Sequence, residues 1–241
     1  MSSAPADWPP GLHPLRGLVN VPHLLVDGSG AVLLDTGLPG EEGRIRRALA
    51  KLGLGASDLK AILLTHGHLD HAGCAAWAQR WSGAKIYAHP AEQAHLDGTF
   101  PYRGPARVCG ALEAIGRRLF GYERPRIDVA LHEGDELPFW GGLRVVHLPG
   151  HTLGHCGFYS AKHDVLFSGD AWVRFMMRTQ VSPRIFSDAP ELVLPSLRKA
   201  RALGASRIVP GHYDFANAIR LRQRFEELCE EMDRRGRLPI I

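Results

Sequence analysis

Apolar positions along the chain follow two periods. His23-Leu24-Leu25-Val26-Asp27 and Ala31-Val32-Leu33-Leu34-Asp35 are short apolar runs on either side of Gly28-Ser29-Gly30, which predicts a β-hairpin. From Glu41 the period lengthens. Ile45, Ala48, Leu49 and Leu52 recur at helical spacing and Gly53 ends the stripe, predicting an amphipathic helix over 41–52. Ala61-Ile62-Leu63-Leu64 predicts a buried strand, 72–81 a short helix, Lys85 to His89 a strand, and Pro90 the first turn of another helix.

The second half is richer in strands. Ile127 to Leu131, Leu143 to Leu148, Gly157 to Ser160, Val165 to Phe167 and Arg207 to Val209 all read so, separated by turns such as Gly141-Gly142. Helices are predicted over 189–203, stopped by Gly204, and over 216–235. The Pro-rich segment 1–14 is expected to run extended over the surface. Residues 97–126 are the least regular, a Gly/Pro loop followed by a helix over 108–119, and read equally as a substrate-facing wall or a solvated connection. Strands alternate with helices, and no linker or repeat interrupts them. A single α/β domain over 1–241 is the economical reading.

What ends the strands carries the chemistry. The run 61–64 enters Thr65-His66-Gly67-His68-Leu69-Asp70-His71. Leu148 enters Pro149-Gly150-His151-Thr152-Leu153-Gly154-His155, Phe167 enters Ser168-Gly169-Asp170, and Val209 enters Pro210-Gly211-His212. Imidazoles and carboxylates are the ligands of zinc and its borderline neighbours. His66, His68, His71, His151 and His212 with Asp70 and Asp170 exceed what one tetrahedral zinc takes, which argues for two divalent ions a few ångströms apart. Asp170, from a separate strand end, is the better candidate to bridge them. Asp35 reads either as a turn former or as a partner of a metal histidine. His89 and His95 lack ligand-like spacing and are expected at the surface or at strand ends.

Composition narrows the setting. At 241 residues, 45% hydrophobic and 22% charged, the chain is ordinary for a globular protein with a sizeable core. A net charge of +4, with arginines spread over several helices and no long basic run, gives no nucleic-acid footprint. Neither a membrane-length apolar stretch nor the regions of a signal peptide are found, so a cytoplasmic protein without membrane partners is expected. Cys74, Cys109, Cys156 and Cys229 show no CxxC spacing and are expected as reduced thiols, with Cys74 and Cys156 as small packed side chains.

The order His-x-His-x-Asp-His, Gly-His-Thr-x-Gly-His, Ser-Gly-Asp and Pro-Gly-His, with Asp35-Thr36-Gly37 before it, resembles the metallo-β-lactamase-fold hydrolase superfamily over about 27–214. The resemblance implies an αβ/βα four-layer sandwich, two mixed sheets face to face with helices outside. It implies His66, His68 and His151 on one metal, Asp70, His71 and His212 on the other, and Asp170 between them. His155 matches a position outside the ligand set, with a supporting or substrate-facing role. The ions are expected to be zinc, with iron or manganese as alternatives.

A water shared by two such cations ionises far more readily than bulk water, and the resulting hydroxide would attack a carbonyl carbon, with Asp70 orienting it or shuttling its proton. Glyoxalase II (hydroxyacylglutathione hydrolase) and acyl-homoserine-lactone lactonases share this ligand set. The former normally adds a C-terminal helical domain, which this chain is expected to lack in full. Many of the latter place Tyr where this chain has Val173. The expected activity is therefore hydrolysis of a small-molecule thioester or lactone, by a monomer or homodimer. The alternative is a mononuclear Fe(II) oxygenase of the persulfide dioxygenase type, using His66, His151 and Asp170, with Arg178-Thr179 near that family's Arg-Thr pair. Trp172, Phe175, Met176 and Met177 read as pocket lining, dimer contact or core.

Overall fold

The computed structural model describes residues 7–175, 178–212 and 216–235. Its elements run β1 (Leu12–Pro14), β2 (His23–Asp27), β3 (Gly30–Leu34), α1 (Glu42–Lys51), β4 (Leu59–Leu63), α2 (Leu69–Ala72), α3 (Ala75–Ser82), β5 (Lys85–Ala88) and α4 (Gln93–Leu96). They continue with α5 (Arg107–Leu119), β6 (Val129–Ala130), β7 (Glu136–Leu137), β8 (Leu143–His147), β9 (Cys156–Ser160), β10 (Val165–Gly169) and β11 (Val173–Phe175). The last are β12 (Arg178–Gln180), α6 (Pro190–Ala202), β13 (Arg207–Pro210) and α7 (Ala218–Arg235).

Two mixed sheets carry the architecture. One is six-stranded in the order β1-β2-β3-β4-β5-β6, the other five-stranded in the order β13-β10-β9-β8-β7, and β11 and β12 pair separately. The predicted hairpin is present, with β2 antiparallel to β3 and Leu24 opposite Leu33. β3, β4 and β5 then run parallel, and β10 is parallel to β13.

Period-two alternation decides the layering. In the first sheet Leu25, Val32, Leu34, Ala61 and Leu63 point toward the second sheet, where Val145, Phe158 and Phe167 meet them. Their neighbours Leu24, Ala31, Leu33 and Ile62 point the other way, onto Ile45, Ala48 and Leu49 of α1 and Ala75 and Ala78 of α3. The core between the sheets is continuous with the apolar stripes of α6 and α7, through Leu197, Ala200, Leu221 and Phe225. The result is the expected four-layer sandwich, and no helix among the described residues is long and apolar enough to cross a membrane.

Three expectations need correction. The segment before residue 15 is not a surface strap. Leu12–Pro14 pairs with β2, and Trp8 and Leu12 are buried, because an apolar edge strand can tolerate Pro at its end. Residues 1–6 lie outside the described residues. The strand expected over 127–131 shortens to Val129–Ala130. Finally, the helix after the histidine motif starts earlier than residue 72, since α2 already includes Asp70 and His71.

Candidate metal centre

Four chain segments bring their donors to one place. Past β4 the chain presents His66 and His68, then makes the single turn of α2 that carries Asp70 and His71. The β8–β9 loop presents His151, β10 ends at Gly169 just before Asp170, and β13 leads into His212. Both sheets contribute, so the donors meet only when the two sheets pack.

Three donor groups form, each with atoms within 4.8 Å of one another: His66, His68 and His151; His66, His71 and Asp170; and Asp70, His71 and His212. His66 Nε2 lies 3.0 Å from His151 Nε2, and His71 Nε2 lies 3.2 Å from His212 Nε2. Asp170 sits between these pairs. Its Oδ2 is 3.6 Å from His151 Nε2 and 3.0 Å from His212 Nε2, and its Oδ1 is 3.5 Å from His71 Nε2. Asp70 Oδ2 is 3.4 Å from His212 Nε2. The side chains of Asp70 and His212 are 23% and 17% exposed, whereas those of His71 and Asp170 are at most 5%. The centre therefore opens on the Asp70–His212 side.

The outer hydrogen bonds set which ring nitrogens carry protons. The Val19 carbonyl can only accept, so His212 Nδ1 donates to it, at 2.9 Å. Asp35 Oδ2 likewise takes the His71 Nδ1 proton, at 2.8 Å. Thr65 Oγ1 spends its one proton on Asp35 and so accepts from His66 Nδ1, at 3.0 Å. Ser182 Oγ holds His151 Nδ1 at 2.6 Å. In the neutral rings the inward Nε2 atoms of His66, His71 and His212 thus carry lone pairs, and those of His71 and His212 face each other across 3.2 Å, a contact that a proton on His71 or a cation must bridge. Asp170 Oδ1 is buried with no hydrogen-bond donor among the described residues. Facing lone pairs and an orphaned carboxylate oxygen call for positive charge, and this donor set fits divalent cations.

Electrostatics agree. Burial, reinforced by the neighbouring imidazoles, holds His66 well below its ordinary value, and burial does the same to His68 and His151. Burial works against charging His71 too, but Asp170, Asp70 and Asp35 prevail and keep it up at about 10. For Asp170, burial would raise the carboxyl, yet His212, His71 and His151 hold it far below the carboxylate range.

The φ of 55° at Asp35 makes it a left-handed turn residue, which Asp tolerates, and its carboxylate orients His71. His155 is held within the fold on both sides of its ring. It is fully buried, donates from Nδ1 to the Leu148 carbonyl and accepts the Asp170 N–H at Nε2, so both ring nitrogens are occupied and it supports Asp170. His95 is corrected outright. It is 1% exposed, 2.8 Å from Asp188 Oδ2, with its ring edge against His68. A residue 93 positions away in sequence supplies the partner that burial requires.

The 97–126 region turns one face inward. Glu113 accepts the Leu69 N–H at 2.7 Å, Tyr102 donates to Glu113, and Cys109 Sγ stands 4.0 Å from His68 Nε2. Val108, Leu112, Ile115 and Leu119 of the same helix stay exposed. Cys74 and Cys156 are packed, with no exposure. Trp172 is core, its ring tilted against Phe225, while Met176, Met177 and the side chain of Phe175 lie outside the described residues. Thr65, Ser182, Glu113 and the His95–Asp188 pair carried no spacing signal by which the sequence alone would reveal them.

A family model for the metallo-beta-lactamase superfamily matches residues 16–212, a span that takes in every donor described. The chain belongs to that superfamily. It is 33% identical over 151 residues to the hydroxyacylglutathione hydrolase GloC of Haemophilus influenzae, a match covering 60% of this chain and 62% of that one. The match thus spans less than two thirds of that relative. Among solved structures, the metallo-beta-lactamase family protein TTHA1429 of Thermus thermophilus is similar at a TM-score of 0.75 and 27% identity, over 94% of this chain and 81% of that one. TTHA1623, solved in a di-iron-bound form, is similar at 0.65 and 28%, over 90% and 98%.

Proposed function

We propose that this protein hydrolyses a small-molecule thioester or lactone with two divalent cations, zinc in our reading. His66, His68 and His151 would hold one, Asp70, His71 and His212 the other, and Asp170 both. The facing Nε2 pairs on either side of Asp170, at 3.0 and 3.2 Å, carry this reading. Bound there, the ions supply Lewis-acid activation of water and of the scissile carbonyl.

The chain's own groups do the rest. Asp70, half-buried at the mouth, orients the attacking water and takes its proton at Oδ2. Asp35, Thr65 and the Val19 carbonyl fix the tautomers of His71, His66 and His212, and Ser182 holds the His151 ring, so the centre is preorganised. His155 fixes Asp170 through its backbone N–H. A thioester is favoured by the relative named for hydroxyacylglutathione hydrolysis. The carbonyl reaction needs no Ser or Cys nucleophile, and burial pushes the Cys109 and Cys156 thiols up, away from the reactive thiolate.

The test is hydrolysis of S-lactoylglutathione and of a series of acyl lactones by zinc-loaded protein. Turnover on either class supports the proposal. No turnover on any thioester, lactone or ester overturns it, and one iron per chain with oxygen consumption on a persulfide replaces it.

A further inference from the structure

Glu92 is a fully buried carboxylate that contacts no metal donor, yet it touches both histidine loops. It ends the turn Pro90–Glu92 that follows β5. Its Oε2 accepts the Gly67 N–H at 2.6 Å, between His66 and His68. Its Oε1 accepts the Thr152 hydroxyl at 2.7 Å and the Gly154 N–H at 2.8 Å, between His151 and His155. One carboxylate therefore spans the loop from one sheet and the loop from the other.

The two glycines fit this contact. A Cβ on Gly154 would stand 2.6 Å from Glu92 Oε1. On Gly67 it would stand 3.2 Å from Glu92 Oε2 and 2.7 Å from His95 Cβ. Both positions are glycine where the buried carboxylate and its neighbours leave no room for a side chain. A buried carboxylate is costly unless its oxygens are satisfied, and here three donors from two loops satisfy it.

We infer that Glu92 is a positioning residue, a clamp that sets the register between the 65–71 and 151–155 loops and so the spacing of His66, His68 and His151. Only an acceptor on both oxygens can do this. An amide in its place turns an NH2 group toward the Gly67 N–H or the Gly154 N–H, whichever way it rotates. The inference rests on the metal-centre reading above, not on the choice of substrate.

The experiment compares wild type, Glu92→Gln, Thr152→Val and the double variant. Zinc affinity is read by competition with a chromophoric chelator, and the cobalt(II) absorption spectrum reports ligand geometry. The expected result is an about 10–100-fold weaker dissociation constant at the three-histidine group in Glu92→Gln, with an altered cobalt spectrum. A smaller loss is expected in Thr152→Val, and no further loss in the double variant, because the hydroxyl acts through Glu92. The melting midpoint of chelator-treated protein checks the fold. Should Glu92→Gln not fold, Thr152→Val decides, and wild-type affinity there overturns the inference. Wild-type affinity and spectrum in Glu92→Gln overturn it too, as does equal loss at the Asp70–His71–His212 group. A wild-type protein that binds no divalent cation instead overturns the metal-centre reading itself.

Discussion

Replacing Asp35 by asparagine tests the tautomer logic at its most sensitive point. Asparagine tolerates the left-handed backbone at this position, so the substitution adds little strain. What changes is one acceptor oxygen. Asp35 accepts from the Thr65 N–H at 2.8 Å through Oδ1, from Thr65 Oγ1 at 2.9 Å through Oδ2, and from His71 Nδ1 at 2.8 Å through Oδ2. If the amide NH2 faces His71, the ring must move its proton to Nε2 and can no longer offer a lone pair inward. If the NH2 faces the Thr65 N–H instead, the oxygen left at the Oδ2 position still serves His71 and the Thr65 hydroxyl, but the buried Thr65 N–H loses its acceptor. One rotamer therefore costs His71 its inward lone pair, and the other leaves a buried N–H without a partner. The loss of an outer partner is worth about 10–100-fold in metal affinity. That is about 1.4–2.7 kcal/mol. A buried donor without a partner costs a further ~1–3 kcal/mol of fold stability. Chelator competition measures the affinity and calorimetry of stripped protein measures the stability. An Asp35→Asn variant that binds zinc as tightly as wild type and melts at the same temperature would refute the reasoning.

Removing donors outright should be more severe: His68→Ala and Asp170→Ala are each expected to abolish turnover and lower bound metal, as read by elemental analysis of the purified variants. The proton balance has a definite sign. His71 holds a proton up to about 10, so a cation taking its Nε2 must displace it, and metal affinity should climb with pH until about pH 10, with proton release in calorimetry. Binding heats that are identical in buffers of different ionisation enthalpy would contradict this. In stripped protein the same raised value predicts stability that is complete below the ordinary 6.5 and declines as pH rises through about 10, which thermal melts across that range can check. For the core, Phe158 is fully buried between the sheets, and Phe158→Ala should cost about 3–5 kcal/mol in denaturant unfolding.

The donors were legible because each is local to a strand end. His66 to His71 lie within one loop and turn, and Asp170 and His212 each follow an apolar run directly. The hairpin was legible as two apolar runs about Gly28-Ser29-Gly30, and the structure sends Leu24 and Leu25 to opposite layers. The groups that orient the donors were not legible. Ser182 meets His151 across 31 positions, Asp188 meets His95 across 93, and Glu92 meets Gly154 across 62. None has a period or a spacing, because the packing of the two sheets makes those contacts and no local rule does. β1 was missed for a related reason: its pairing with β2 lies in the register, while its prolines argue against a strand.

Two cations flanking Asp170 is the claim on which the proposed chemistry stands. Anomalous diffraction from crystals of the metal-loaded protein, collected at the absorption edge of the bound element, tests it directly. Two peaks are predicted, one amid His66, His68 and His151, the other amid Asp70, His71 and His212, each in contact with Asp170. A single peak held by His66, His151 and Asp170, or none in loaded protein, would contradict it.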